Sequence, residues 1–281
     1  MADANELVAS FFTLSGAGFA EPPRHSFTQR CEAAAAAGFA GIGLHADDLP
    51  RTVEGGLDAD GMRAVLGDTG LRLVEIEFLG GWALDVDETG LARTVDRVEA
   101  VADAFGGRHV STGEFREGAL DLDAAAARLA ALARRLGERG LLVALEAFPW
   151  SAIPDVATAV ELLRRAAAPN AGLMVDVWHF FNGGAGLDAL DDLPAGGVTA
   201  VQLNDGPQVH DDFLLHARAA RRLPGEGELD VVGLVRAVEK AGFTGPYSVE
   251  VNTPEFRALP VAVAAARAHD AAATVLVRAR S

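Results

Sequence analysis

Leu141-Leu142-Val143-Ala144-Leu145-Glu146 and Leu173-Met174-Val175-Asp176 are short apolar runs that each end in an acid. Val201-Gln202-Leu203-Asn204-Asp205 and Tyr247-Ser248-Val249-Glu250 repeat the pattern further along the chain. A run this short and this apolar suits a strand buried on both faces, as in a parallel sheet. Parallel strands that close into a barrel bring their C-terminal ends to one mouth. Four oxygen-bearing side chains gathered there, three of them acids, make a site for a hard divalent cation.

Working outward from these runs, eight strand candidates appear, at 7–13, 40–45, 71–78, 108–112, 141–147, 172–177, 198–203 and 246–251. Amphipathic segments lie between them at 26–37, 58–69, 88–105, 121–139, 155–167, 228–241 and 256–279, with a short, weakly helical piece at 187–193. Gly38, Gly70, Gly106, Gly140 and Gly242 stand where helices should stop, and Asp58, Asp121 and Asp155 where they should start. Strands alternating with helices imply parallel pairing through crossovers, and eight such units predict a single (β/α)8 TIM barrel spanning residues 1–281. A doubly wound sheet competes poorly. Residues 13–25 read as an ordinary loop, and Gly16-Ala17-Gly18 lacks the rest of a dinucleotide-binding turn.

Composition narrows the function. The formal net charge of −16 repels polyphosphate backbones, so no nucleic-acid partner is expected. The one cysteine, Cys31, excludes an intramolecular disulfide and a cysteine-based zinc cluster, and reads as a small core residue. The N-terminal Met1-Ala2-Asp3-Ala4-Asn5-Glu6 lacks a basic start and an apolar stretch, and no apolar run approaches a membrane span. The expected location is the cytoplasm, with a small-molecule substrate and no membrane partner.

Chemistry concentrates between 141 and 256. Strand five leads into Glu146-Ala147-Phe148-Pro149-Trp150, strand six into Asp176-Val177-Trp178-His179, and strand seven into Asn204-Asp205-Gly206-Pro207. Arg221-Arg222-Leu223-Pro224-Gly225-Glu226-Gly227 follows, then Ser248-Val249-Glu250-Val251-Asn252. Taken in chain order, these motifs resemble the xylose isomerase-like barrel superfamily, which includes sugar phosphate isomerases and epimerases. The resemblance covers nearly the whole chain.

It implies that Glu146, Asp176 and Glu250 are metal ligands. In the ketose 3-epimerases a histidine supplies the remaining ligand, and here Gln202 stands in its place. An amide oxygen is a harder donor than imidazole, which favours Mg²⁺ or Mn²⁺ over zinc. Gln202 also reads as a satisfied amide lining the pocket. Bacterial dehydroshikimate dehydratases are similar to this chain in a glutamine at this strand and a following P-G-x-G loop.

The chemistry shared by these branches is proton removal beside a carbonyl, with a cation stabilising the charge that develops. Glu146 and Glu250 on opposite sides of a substrate predict epimerisation or isomerisation of a sugar, keto-sugar or cyclic polyol ketone. Loss of a β-hydroxyl assisted by His179 gives dehydration of a dehydroshikimate- or inosose-like substrate instead. His45, Glu77, Trp150 and Arg222 are the expected substrate contacts; Arg221 and Arg218 are alternatives to Arg222, and His179 also reads as a structural histidine. Glu75 shares the face of Glu77 but lies deeper, while His109 and Glu114 read as structural. Trp82, Phe148 and Trp178 read as pocket wall or as packing. Related barrels are frequently homo-oligomers, and the apurinic-site endonucleases among them need more histidines and a basic groove.

Overall fold

This computed structural model describes residues 6–19, 21–191, 193–194 and 196–281. Its strands are β1 (Leu7–Ala9), β2 (Gly41–His45), β3 (Arg72–Leu79), β4 (His109–Thr112), β5 (Leu142–Leu145), β6 (Ala171–Asp176), β7 (Val198–Leu203) and β8 (Tyr247–Val249). Each pairs in parallel with the next, and β8 pairs with β1 through Leu7 and Tyr247, so the sheet closes into a (β/α)8 barrel. The helices are α1 (Phe11–Leu14), α2 (Phe27–Ala37), α3 (Asp48–Glu54), α4 (Ala59–Thr69), α5 (Glu88–Phe105), α6 (Leu122–Gly137), α7 (Val156–Ala166), α8 (Val177–Asn182), α9 (Phe213–Ala219), α10 (Val231–Lys240), α11 (Pro254–Arg257) and α12 (Val261–Arg280). A 3₁₀ turn covers Leu187–Leu190.

Side chains alternate along a strand, so residues two apart share a face. Ala144, Met174 and Ala200 form a small apolar cluster of their own on the inward face. Glu146, Asp176 and Gln202 lie two residues further along the same strands and share that face. Register aligns them, because Asp176 pairs with Gln202 and Leu203 pairs with Val249, next to Glu250. The alternate residues face the helices. There Val143, Leu145, Leu173, Val175, Val201 and Leu203 join the larger core with the buried stripes of α6 and α10.

Most expected elements are present, with three differences. The first strand, expected over 7–13, stops at Ala9, because Ser10 turns the chain and its hydroxyl accepts from Phe12 N to start α1. The expected helix 256–279 is two helices. Pro260 has no N–H to continue one, and it stands at the N-cap of α12. The short helices α3, α8 and α9 are additional; each has seven residues or fewer, too few to show a helical period. Asp58, Asp121 and Asp155 each accept a backbone N–H at the start of their helices. Gly38, Gly70 and Gly106 close theirs, while Gly140 and Gly242 lie just past the caps Glu138 and Ala241. The N-terminal residues 1–5, and position 192 of the weak helical piece, fall outside the described residues. No helix among the described residues is long and apolar enough to cross a membrane.

Candidate active site

At the C-terminal mouth lies a cavity of about 620 Å³. Glu146, His179, Gln202, Arg221 and Glu250 line it, with His45, Glu77 and Trp150. Asp176 lies directly against this group, 1% exposed.

Local structure fixes each acid. Glu146 follows β5, and its backbone N–H donates to Thr112 O at 2.8 Å. A Cβ at Gly113 would stand 2.7 Å from Glu146 O and 2.7 Å from the Phe148 ring, so any larger residue there would push the Glu146 turn aside. Asp176 ends β6 and caps α8. Its Oδ1 accepts His179 N–H at 2.9 Å, which sets the D-x-x-H spacing and turns the imidazole back over the mouth. Its Oδ2 accepts from Asn204 Nδ2 at 2.6 Å, and Asn204 Oδ1 in turn accepts Trp178 N–H at 2.9 Å.

The cation that balances these acids is Arg221. Its Nη1 donates to Asp176 Oδ2 at 3.0 Å and to Glu250 Oε2 at 2.6 Å. Its Nη2 lies 2.7 Å from His179 Nε2. A guanidinium only donates, so Nε2 carries the lone pair and Nδ1 the proton. Burial, then the Arg221 charge, push the His179 pKa well below the usual imidazole value. Burial works against the charge on Arg221 as well, but Asp176, Glu250 and Glu146 together hold it in place.

The loop that delivers Arg221 is clamped by Asp205. Arg222 N–H donates to Asp205 O at 2.8 Å, and Asp205 N–H donates to Arg222 O at 3.0 Å. The Asp205 carboxylate accepts from Gly225 N at 3.0 Å and Leu229 N at 3.1 Å. With Arg222 fixed in this antiparallel bridge, neighbouring side chains alternate. Arg221 therefore faces inward. Arg222, expected in the mouth, is exposed instead, and its Nη1 donates to Glu226 O at 3.2 Å. At pH 8, Arg221→Ala should cost about 3 kcal/mol of unfolding free energy by abandoning buried carboxylates. Arg222→Ala should stay within about 0.5 kcal/mol. Urea denaturation of the two variants checks this contrast, and equal losses would contradict the inward placement.

The remaining expected contacts divide. His45 accepts Asp47 N–H at 3.1 Å through Nδ1, and burial lowers its pKa. Glu77 is 2% exposed, and among the described residues neither carboxyl oxygen has a hydrogen-bond partner. Burial, with Glu75 and Glu250 nearby, raises its pKa well above the usual range. Trp150 stacks on Phe148 at 5.3 Å and meets the His179 ring edge-on at 5.2 Å, so both aromatics wall the cavity. Trp82 and Trp178 are fully buried and do not line this cavity. Glu114, read as structural, does line the cavity, held by Arg116 Nη2 at 2.8 Å. Asn204 was legible only as part of a motif, and Arg221 only as an alternative.

Charge crowding is the dominant electrostatic fact. Burial raises the Glu146 pKa well above the usual range, and the charges of Asp176 and Glu250 add to it. Burial raises Asp176 as well. Glu250 is pushed up to about 7 by burial, which outweighs Arg221. Ligand atoms of Glu146, Asp176 and His179 all lie within 4.8 Å of one another. Gln202 Oε1 is buried with no hydrogen-bond partner among the described residues. An excess of buried anionic oxygen and an orphaned amide oxygen beside it fit a divalent cation. Glu146, Asp176, Gln202 and Glu250 could hold such an ion through oxygen, with His179 beside them.

Several known proteins are similar to this chain. The chain is 30% identical over 248 residues to a 3-dehydroshikimate dehydratase of Pseudomonas aeruginosa, an alignment covering 83% of this chain and 37% of that protein. The chain thus spans well under half the length of that relative. It is 25% identical over 139 residues to an inosose isomerase of Halalkalibacterium halodurans, covering 49% of each. Among solved structures, IOLI protein with a bound zinc atom superposes with a TM-score of 0.85 at 18% identity, over 96% of this chain and 98% of that one, a likeness of fold. A family model described as Xylose isomerase-like TIM barrel matches residues 31–275. An eight-stranded closed barrel whose last four strands present Glu146, Asp176, Gln202 and Glu250 at one mouth thus belongs to the xylose isomerase-like TIM barrel family.

Proposed function

We propose that this chain is a divalent-metal-dependent dehydratase acting on a cyclic polyhydroxylated ketone, with 3-dehydroshikimate the first compound to test. One observation carries the reading. His179 Nε2 lies 3.6 Å from Glu146 Oε1, an acid–base pair gathered on one side of the mouth. Elimination on one face of a ring needs a group that takes a proton and returns it nearby. The 3-dehydroshikimate dehydratase relative, matched over most of this chain, supports the same choice.

Mg²⁺ or Mn²⁺ held by Glu146, Asp176, Gln202 and Glu250 would supply Lewis-acid stabilisation of the charge that develops on the substrate carbonyl oxygen. The hard amide donor at Gln202 favours these ions. Arg221 turns its Nη2 donor from His179 to a substrate oxygen, and the freed Nε2 of the neutral His179 takes the proton from the carbon beside the carbonyl. Glu146 faces the imidazolium and stabilises it. The C–H electron pair becomes the new C=C bond as the β-hydroxyl C–O bond breaks. The imidazolium gives its proton to the departing oxygen, which leaves as water. Arg221 balances Asp176 and Glu250 and aims further donors at substrate oxygens. Phe148 and Trp150 close a flat wall against a ring and exclude water.

Epimerisation or aldose–ketose isomerisation is the second reading. It is favoured by the place of Glu250, which follows β8 while Glu146 follows β5, so that a second carboxylate reaches the cavity from a remote strand. Product analysis separates the two. With Mg²⁺ or Mn²⁺ and 3-dehydroshikimate, dehydration should raise ultraviolet absorbance as a conjugated ring forms. If 3-dehydroshikimate is left intact, and keto-sugars or inososes yield only epimers or isomers that take up solvent deuterium, the second reading replaces the first.

A further inference from the structure

Beneath the mouth lies a buried carboxylate that the chemistry above does not use. Glu75 is 0% exposed and sits on β3 two residues before Glu77. Its Oε2 accepts Ser248 Oγ at 2.7 Å. Its Oε1 accepts Ser111 Oγ at 3.4 Å and Gln202 Nε2 at 2.9 Å. His109 Nε2 lies 3.5 Å from the same Oε1. Arg108 Nη1 stands 3.5 Å from His109 Nδ1, and since arginine only donates, the imidazole proton belongs on Nε2, facing Glu75.

A carboxylate ringed by donors accepts and cannot donate. The Gln202 amide can therefore meet it through its NH₂ only. The opposite end, Oε1, is then left buried and unpartnered beside the cavity that Gln202 lines. We infer that Glu75 is a positioning residue: it locks the Gln202 amide with its oxygen toward the metal site, making an ambivalent side chain an obligate oxygen donor. This rests on the reading of Gln202 as a metal ligand given above.

The argument is one of chemical polarity. An amide with no such partner is free to turn through half a rotation and present NH₂ to a cation, which repels it. Serine or water beneath Gln202 would not forbid the flip, because each both donates and accepts. The carboxylate forbids it.

The test uses the whole chain and manganese alone, read by electron paramagnetic resonance of free Mn²⁺. Glu75→Gln removes the one-way acceptor and should weaken Mn²⁺ binding about 10–100-fold, the usual cost of losing a partner behind a metal ligand. Gln202→Glu, with Glu75 intact, sets two acceptors against each other and should also weaken binding. The double variant Glu75→Gln/Gln202→Glu restores one donor facing one acceptor, and should bind more tightly than Gln202→Glu alone. Binding within twofold for Glu75→Gln, or a double variant no tighter than Gln202→Glu, overturns the inference.

Should these variants fail to fold, the unsubstituted protein still decides. The Gln202 side-chain NH₂ should exchange slowly with solvent, by nuclear magnetic resonance, before and after Mg²⁺ is added. Rapid exchange in the metal-loaded protein overturns the inference. The outcome is separate from that of the proposed reaction, because binding and exchange are read without turnover. A protein that binds Mn²⁺ with these contrasts yet leaves 3-dehydroshikimate unchanged supports the positioning role and refutes the reaction.

Discussion

Glu146→Gln is expected to lower kcat on the order of 10³-fold, the size of a lost acid–base group. The substitution keeps size and hydrogen-bonding capacity, and it removes the charge that steadies the His179 imidazolium 3.6 Å away. It also removes one anionic oxygen from the cation site. Two effects therefore combine, and their separation is itself informative. Saturating Mn²⁺ should recover the binding component and leave the loss in kcat. The apo variant should fold at least as well as the parent near neutral pH, because the parent carboxyl is buried among other acids. Turnover within tenfold of the parent would remove Glu146 from the chemistry.

The second large effect is the dependence of metal affinity on pH. Glu146, Asp176 and Glu250 all have raised pKa values, and Glu250 titrates near 7. A cation must displace the protons these groups hold, so affinity should rise with pH, by up to about tenfold per unit for each proton displaced. Stability without metal runs the other way. A carboxyl with a folded pKa above its unfolded value favours the fold fully below the unfolded value. That contribution is lost as pH rises through the folded pKa.

For Glu250, a rise from 4.5 to about 7 implies a loss on the order of 3 kcal/mol across that window. His179 and His45, lowered by burial, act oppositely and gain stability as pH rises toward 6.5. The difference between melts with and without Mn²⁺ cancels much of that background. The Mn²⁺-induced rise in Tm should therefore be several degrees larger at pH 8 than at pH 6, since a change of about 1 kcal/mol moves Tm by about 2–4 °C in a domain of this size. An equal or smaller rise at pH 8 would contradict the charge assignment.

How much of this was legible in the sequence follows from what sets each feature. The barrel was readable because eight apolar runs alternate with capped helices, and those signals are local. The inward-facing set of Glu146, Asp176, Gln202 and Glu250 was readable because strand ends converge once the sheet is closed. Arg221 was not separable from Arg222, since the choice depends on the backbone bridge to Asp205 some seventeen positions earlier. The link between Glu75 and Gln202 joins β3 to β7, 127 residues apart, and no local pattern announces it. The end of β1 was misplaced because Phe11 and Phe12 are as apolar as a strand. Only the Ser10 cap reveals the turn.

The most direct test of the account is a crystal structure of the Mn²⁺-loaded protein with data collected at the manganese absorption edge. One anomalous peak is expected among Glu146, Asp176, Gln202 and Glu250, with Gln202 Oε1 on the ion and its NH₂ still on Glu75. A peak located elsewhere, or none in a crystal grown at saturating Mn²⁺, would contradict it.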